Sequence, residues 1–529
     1  MVTIKRALLS CYDKNGLEAL SRALIAHGVE LIASSGTAEF LSHQGVLVRT
    51  VEAFTGMGAQ LDGRVKTLHP KIHAGILARR DDPSHVQAAG TEELIDLVVV
   101  NLYPFEETAE QPGVSLGEVI EQIDIGGVAL LRAAAKNFAH VAVVSRPQQY
   151  TQLINALTQG DGRLSDLLTR KLSAAAFQLT SAYDAWIARY LGRDEATTSR
   201  RDSTPPSTRE VSGDHWADVM SLSVVRRQLL RYGENPHQQA AWYVPQTQLA
   251  WGLSTLSQLQ GKELSYNNLL DIDAAVRCLA DFEEPTCVII KHHSQCGLAS
   301  DSAMLPAYER AHRCDPESAF GGIVGFNRAV DVSVAERLSA TFLEVIVAPA
   351  VEDQALKLLR KKTHLRVVTV EWPIQAASSI EWRQLLGSWL LQDSDREMIN
   401  AGSLQVATRR APTAEERNDL LFAWKAAKHG KSNCIVIAAD RAIVGIGQGQ
   451  PSRVGSVRLA IQKAGERARD AVAASDGFFP FPDSIELLTS AGVTAVIQPG
   501  GSIRDGEVVE AANRAKIAML LTGARHFRH

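Results

Sequence analysis

The sequence predicts an α/β protein with a parallel-sheet domain first and a second α/β region behind it. Three observations carry this reading. Strand and helix signals alternate through the first 145 residues. The strand candidates are short, apolar and β-branched, as at Leu97–Leu102, which suits strands covered on both faces. A chain of 529 residues is too long for one core, so two to four domains are expected. Such alternation gives a parallel sheet with helices on both faces and a ligand site beyond the carboxyl ends of its strands.

In order, Ala7–Ser10 reads as a strand, Gly16–His27 as an amphipathic helix and Val29–Ala33 as a strand. Ser34-Ser35-Gly36-Thr37 then leads into a helix through Gln44. Leu97–Leu102 is the third strand, Ser115–Ile123 and Val128–Asn137 are helices, and Val141–Ser145 is a further strand. Ser10, Lys14 and the Ser34–Thr37 turn offer hydroxyls, a cation and backbone N–H groups at a helix start, which is how a phosphate is held. Ordinary N-capping accounts for the same Ser and Thr residues. Arg64 and Lys66 point the same way if extended and would form a two-cation clamp. Tyr103 leaves the third strand, Asp124 precedes Gly126-Gly127, and Lys136 ends the following helix. With Lys66 they make a candidate acid–base set around a phosphorylated ligand. His69 and His73 are four apart with Pro70 between them and no evident acidic ligand, so no zinc is expected there.

Residues 149–193 are helical in pattern. Thr197–Asp214 is polar and rich in Pro and Ser, a linker that puts a boundary near residue 200. The first domain is thus 1–199, with a core at 1–146. The second is 200–529, with subdomains of about 215–370 and 371–529, because the pattern restarts near residue 370. In the stretch Ile289–Gly297 a buried strand, Cys287–Ile290, runs straight into Lys291 and His292, and Gly297 is expected to close the turn. A Lys beside a His at a rigid strand end can hold a cation and a proton relay against one reacting group. A solvated basic loop is the plain alternative.

Leu230–Gln238 is a polar loop, and the glycines of Asp315–Gly322 let backbone approach a ligand. Cys434–Ala439 and Ala442–Ile446 resemble a hairpin turned at Asp440-Arg441. Ser475–Asp483 is an exposed-looking aromatic cluster suited to a flat ring, and Pro499–Ser502 is a nest-forming turn. The two halves of the second part share a layout that suggests divergent duplication, without a sequence period.

Composition bounds the partners. The chain is 45% hydrophobic and 22% charged, with formal charge −4, so nothing global favours nucleic acid. There is no apolar run of about 18 residues and Met1–Arg6 lacks a signal-peptide core, so a cytoplasmic protein without a membrane partner is expected. The six cysteines form no C-x-x-C pair, which argues against a disulfide framework or zinc ribbon.

The motifs R-V-K-T-L-H-P, N-L-Y-P-F, Q-I-D-I-G-G-V, L-L-R-A-A-A-K-N, R-Y-G-E-N-P-H-Q, D-P-E-S-A-F-G-G, F-F-P-F-P-D and Q-P-G-G-S-I-R-D occur in one order along nearly the whole chain. In this the sequence closely resembles the bifunctional purine biosynthesis family that combines AICAR transformylase with IMP cyclohydrolase. The resemblance implies a methylglyoxal-synthase-like N-terminal domain that closes the purine ring. It also implies a transformylase of two cytidine-deaminase-like α/β/α subdomains. The H-x-E and P-C-x-x-C zinc signature of that fold is absent, so a metal-free variant is implied. A homodimer is implied, with 10-formyltetrahydrofolate as co-substrate and room for a monovalent cation.

Carried over by position, Lys291 and His292 match the family's catalytic pair, with Asn433 orienting the reacting groups. Arg231, Tyr232, Asn268, Gly321, Glu344 and Arg453 match positions that hold the ribonucleotide. Phe478, Asp483, Ser502 and Ile503 match the folate pocket. In the first domain Lys136 matches the residue assigned to proton transfer, with Lys66, Tyr103 and Asp124 around it. Tyr12, Asp13, Lys14, Ser34, Ser35, Gly36, Thr37, Arg64, Thr67 and Asn101 match nucleotide contacts.

The family more often reads K-H-x-N-P-C-G, where this chain has His293, Ser294 and Gln295 in the middle. Loss of that Pro is expected to loosen the turn, Gly430 to add a flexible step before Lys431, and Pro451 to remove an N–H. Two alternatives keep the nucleotide chemistry: a cyclohydrolase with a weakened transformylase half, and a non-catalytic nucleotide-binding protein.

Overall fold

A computed structural model of the chain describes residues 1–192, 216, 219–245, 252–372, 380–399 and 404–529. The linker read at Thr197–Asp214 and the boundary near residue 200 fall outside the described residues. The chain separates into two compact units, Met1–Val224 with Pro245–Gln248, and Val225–Val244 with Leu249–His529.

The first unit is built on five parallel strands: β1 (Arg6–Cys11), β2 (Glu30–Ala33), β3 (Arg49–Thr50), β4 (Leu97–Asn101) and β5 (Ala142–Val144), in the order β3-β2-β1-β4-β5. Helices α1 (Leu17–Ala26), α2 (Ser35–His43), α3 (Gly126–Lys136) and α4 (Asp166–Leu191) connect and cover it. β4 reads Leu-Val-Val-Val-Asn and buries its first four side chains, so neither face meets water. Successive strands step one way from β1 and the later ones lie on its other side. The order therefore reverses between β1 and β4, and a crevice opens beyond their carboxyl ends.

The second unit is organised by one twelve-stranded sheet. Its first half comprises β6 (Ser257–Gln260), β7 (Thr286–Lys291), β8 (Ser294–Ser300), β9 (Ile323–Phe326), β10 (Val345–Ala348) and β11 (Arg366–Thr369). Its second comprises β12 (Gln405–Val406), β13 (Ile435–Ala439), β14 (Ala442–Gly447), β15 (Val472–Ser475), β16 (Ala495–Gln498) and β17 (Ala518–Leu521). The order is β6-β11-β10-β9-β7-β8-β14-β13-β15-β16-β17-β12, so the halves mirror each other about the β8–β14 pair at Ala299 and Ala442.

In each half an antiparallel hairpin is followed by three strands that run parallel, and an outer strand pairs antiparallel at the edge. The helix before each hairpin, α5 (Tyr266–Leu279) or α9 (Ala414–Lys428), is matched in position. So are those that follow: α6 (Met304–Cys314), α7 (Val332–Ser339) and α8 (Asp353–Leu359) in the first half, and α10 (Arg453–Ala464), α11 (Asp483–Ser490) and α12 (Asp505–Arg514) in the second. The shared layout read in the sequence is thus a duplicated topology.

Alternation fixes which face each central residue serves. Val288 and Ile290 enter one core while Cys287 and Ile289 enter another, and Val436 and Ile437 divide the same way. Each such apolar side chain contributes roughly 1.5–3 kcal/mol when fully buried. All six cysteines are buried, Cys287 in β7 and Cys434 just before β13. Among the described residues no helix is long and apolar enough to cross a membrane, and no group of three His, Cys, Asp or Glu could hold a metal ion.

Candidate active sites

The crevice of the first unit gathers most of the residues singled out there. Asp13 follows β1 and exchanges two hydrogen bonds with Asn101 at the end of β4: its N–H donates to Oδ1 at 2.8 Å and its carbonyl accepts from Nδ2 at 2.9 Å. The Lys14 ammonium donates to the Cys11 carbonyl and to Thr37 Oγ1, the latter at 3.3 Å. Thr37 in turn takes the Cys11 N–H at 3.0 Å, pinning the first turn of α2 to the end of β1. Space beside Gly36 is open, as an N-terminal anion site requires, and Ser34 caps the helix without using its own hydroxyl. Ser35 donates instead to Glu52 at 3.0 Å.

Burial pushes the Lys14 ammonium down, and Lys66 adds to this by repulsion, so the two cations face one space. Tyr12 and Tyr103 meet edge to face at 5.7 Å. Asp124 is fixed from three sides. Its Oδ1 accepts the Gly127 N–H at 2.6 Å, its own N–H donates to the Tyr183 hydroxyl at 2.9 Å, and the Tyr103 N–H also faces its carboxylate. A Cβ on Gly127 would stand 2.4 Å from Asp124 Oδ2, so only glycine allows that contact. Burial pushes the Asp124 carboxyl up, against the pull of these N–H groups and of Lys66. Thr67 lies beside Gly126.

Two expectations change here. Residues 61–63 form a tight turn closed by the Gln60–Val65 bridge, so Arg64 is not extended alongside Lys66; it turns out to an ion pair with Glu121. Lys136 does not join the Asp124 group. It is exposed at the last turn of α3, whereas Asp124 precedes the first, and ten residue steps of helix place the two ends roughly 15 Å apart.

In the second unit the turn after β7 differs from the expected one. Lys291 pairs with Ser294, so His292 and His293 alone make the turn, and Gly297 lies inside β8 opposite Ile289. Both histidines have φ in the left-handed region, 51° and 60°, the pattern of a two-residue type I′ hairpin. Each costs about 1 kcal/mol without glycine. Asp271 on α5 holds them there: its Oδ1 accepts the His293 N–H at 2.5 Å, and the His292 N–H also faces it.

The missing Pro does not leave this hairpin loose. Gln295, 2% exposed, donates to the Ala426 carbonyl at 2.5 Å, and its own carbonyl accepts from Gln448 at 3.1 Å. Nor is Gly430 a flexible step. It is buried, and a Cβ there would meet Cys434 Sγ at 2.2 Å.

Lys291 Nζ donates to the Phe320 carbonyl at 2.7 Å and stands 3.2 Å from where a Gly321 Cβ would be; Gly321 itself has φ +68°. His292 is exposed at the tip. Burial and the Arg528 charge lower the His293 imidazole, whose Nε2 lies 3.4 Å from that guanidinium. Asn268 donates to Glu344 at 3.0 Å.

Across the β8–β14 seam, Asn433 donates to the Gln450 carbonyl at 2.9 Å and accepts from Arg453 at 2.8 Å. Arg453, 7% exposed, also pairs with Asp476 and donates to Ser475 at 2.7 Å. Its fork is therefore committed to protein groups, Asn433 among them. Arg231 and Tyr232 lie together at 5.6 Å, and among the described residues no hydrogen bond or ion pair joins them to the Lys291 hairpin. Phe478, Asp483 and Ile503 are exposed and Ser502 is half-buried; Phe479 of the aromatic cluster is fully buried. Asp271, Asp476 and Tyr183 were missed in the sequence. Only Asp476 left a trace there, as a member of the Ser475–Asp483 stretch.

A helix-start cradle on a parallel sheet and a Lys-His hairpin on a duplicated sheet are the two candidate sites of an α/β protein. Comparison with known proteins makes the class particular. Residues 134–463 match the family model described as AICARFT/IMPCHase bienzyme, and residues 16–129 that of the MGS-like domain. A bifunctional purine biosynthesis protein PurH of Cyanothece sp. is 47% identical over 527 residues, 99% of each chain. The chain belongs to the AICARFT/IMPCHase bienzyme family, and it is a bifunctional AICAR transformylase and IMP cyclohydrolase with an MGS-like N-terminal domain. A solved structure titled "Crystal structure of ForH" is 36% identical over 36% of this chain and 97% of its own, with a TM-score of 0.33.

Proposed function

We propose that the second unit transfers the formyl group and the first closes the ring. The observation that carries the first assignment is the Lys291–His292 strand end, clamped by Asp271, with the Lys291 ammonium beside Gly321. The 5-amino group of AICAR is a weak nucleophile, its lone pair delocalised into the imidazole and carboxamide. His292 takes its proton as the new C–N bond forms, and Lys291 holds the charge that develops on the formyl oxygen. The bond to N10 of 10-formyltetrahydrofolate breaks, and the tetrahydrofolate nitrogen leaves with a proton. Asn433, held by Arg453, orients the reacting groups. Asn268, Gly321 and Glu344 line the ribonucleotide side, with Arg231 and Tyr232 as further contacts. Phe478, Asp483, Ser502 and Ile503 take the folate; a Phe face suits the pterin and a carboxylate its N–H edge.

In the first unit the carboxamide nitrogen of FAICAR attacks the formyl carbon, and water leaves to give IMP. Asp124, whose carboxyl burial pushes up, gives a proton to the departing oxygen and recovers one from the ring nitrogens, which together lose the two hydrogens that leave in the water; Lys66 stabilises the charge on that oxygen. Tyr103 and Tyr12 wall the base, while Lys14 and the Ser34–Thr37 turn hold the phosphate, with Asp13, Thr67 and Asn101 as further contacts. Lys136 and Arg64 stand apart from this set in the protomer.

The halves of the second unit are read as metal-free cytidine-deaminase-like modules, supported by their matched topology and the absent zinc signature. A homodimer in the cytoplasm is the expected state; the fully exposed Ile503 and Leu386 give a partner copy apolar surface to cover.

The test is to incubate the protein with AICAR and 10-formyltetrahydrofolate and to follow FAICAR and IMP. Both products are expected. Lys291→Ala or His292→Ala should abolish transfer and spare cyclisation of supplied FAICAR. If both activities fell together, the division between units would be wrong.

A further inference from the structure

Formyl transfer draws on both halves of the twelve-stranded sheet. Lys291 and His292 come from the β7–β8 hairpin, and Asn433 from the segment that leads into β13. The halves meet along β8 and β14, whose registered pair is Ala299 with Ala442. Continued in the antiparallel sense, that register would set Ser294 opposite Gly447, roughly 16 Å further along β8. Among the described residues no such pair forms. Each strand is instead pressed onto a helix of its own half: a Cβ on Gly297 would strike the Ala311 carbonyl of α6, and one on Gly447 the Ser456 carbonyl of α10. The backbone ladder therefore fixes the far end of the seam and leaves the end that carries the reacting groups to side chains.

Gln448, half-buried, closes that end. Its Nε2 donates to the Gln295 carbonyl of β8 at 3.1 Å, and its Oε1 accepts the Lys431 N–H at 3.1 Å. The next residue returns the contact, the Gly449 N–H donating to the Lys431 carbonyl at 2.8 Å. Asn433 is tied to the same loop, its Nδ2 donating to the Gln450 carbonyl at 2.9 Å. One side-chain amide thus has its donor on the strand that carries the Lys291 turn and its acceptor on the segment that carries Asn433. The carbonyl it grips is itself anchored, because the buried Gln295 side chain donates to the Ala426 carbonyl of α9 at 2.5 Å. A second tie is longer: the Arg528 guanidinium lies 3.4 Å from His293 Nε2, and the Arg528 N–H donates to Ser432 Oγ at 3.1 Å.

We propose that Gln448 is a positioning residue for formyl transfer, setting the separation of His292 from Asn433 across the open end of the seam and acting through them. This rests on the reading of Lys291, His292 and Asn433 given above. The position calls for an amide. A carboxylate there keeps the acceptor for Lys431 but turns an oxygen toward the Gln295 carbonyl, and a thioether of the same length makes neither bond. A shift between groups that must meet at one reacting centre lowers the rate of the step, while each substrate keeps the contacts that bind it.

The test is steady-state kinetics of formyl transfer on Gln448→Met and Gln448→Glu, each alone and combined with Asn433→Ala. Each Gln448 variant alone is expected to lower kcat about 10-fold, with KM for AICAR and for 10-formyltetrahydrofolate within about twofold of the parent and cyclisation of supplied FAICAR unchanged. In the Asn433→Ala background the same substitutions should cost less than about twofold, because the group they displace is gone; a role in stability alone would give additive losses. Should Gln448→Met fail to fold, Gln448→Glu carries the same comparison. Parental kcat in the Gln448 variants, a change confined to KM, or losses that add to that of Asn433→Ala would each overturn the proposal while leaving the reading of Asn433 in place. If Asn433→Ala itself transfers at the parental rate, that reading falls and the proposal with it.

Discussion

At the scale of single residues, carboxylates decide what the cations and imidazoles can do. Asp281 shows the rule away from either reaction. Burial alone would raise its carboxyl, but the His429 Nε2 hydrogen bond at 2.7 Å and Lys428 at 3.1 Å hold it at about 2. Burial keeps His429 itself biased to the neutral ring, which still donates that bond. The sign follows from linkage. The folded value lies below the ordinary 3.8, so the stabilisation is present above that value and is lost as the pH falls from 3.8 towards about 2. Acid titration of Asp281→Asn should lack that loss. At neutral pH the same variant should lose about 3 kcal/mol by urea denaturation, because Lys428 is left inside without a counter-charge and His429 without its carboxylate acceptor.

At the scale of elements, the β7–β8 hairpin sets where His292 stands. His293 holds the turn through its N–H, its ring reaching only the Arg528 guanidinium at 3.4 Å, and its φ of 60° suits glycine better than histidine. His293→Gly should therefore keep formyl transfer within about threefold of the parent and leave the melting temperature unchanged or raised. His293→Pro removes the donor to Asp271 and forces φ to about −65°, so it should cost transfer a hundredfold or more, roughly 3 kcal/mol, while FAICAR cyclisation survives. Steady-state rates for the two half-reactions, taken on both variants, check this. Equal losses in the two would mean that the Asp271 bond does not position His292.

At the scale of the whole molecule, each unit carries its own core, and the proposed division gives each its own reaction. Lys291→Ala and Asp124→Asn should each block conversion of AICAR to IMP, the first at transfer and the second at cyclisation. Mixed in equal amounts, they should restore IMP formation, with a lag while FAICAR accumulates in solution. A mixture that stays inactive would show that the units depend on each other's chemistry.

Much of the fold was legible because its signals are local. Short β-branched runs such as Val98–Val100 and Val288–Ile290 favour strands buried in a sheet, and Asp440-Arg441 between two such runs favours a turn. The motif order carried the family and, through it, the two activities. What the sequence could not determine was who faces whom. Arg64 and Lys66 share a parity that an extended strand would honour, but the Gln60–Val65 bridge turns Arg64 to Glu121. Lys136 stands near Asp124 in sequence, yet one helix separates them in space. The Lys291 turn looked loosened without its Pro, but Asp271 and Ala426 fasten it from other elements. Residue types and local periodicity are fixed by the chain itself, whereas hydrogen-bond partners are chosen by whatever the packed helices bring within 3 Å, and that is decided only when the sheet closes on its cores.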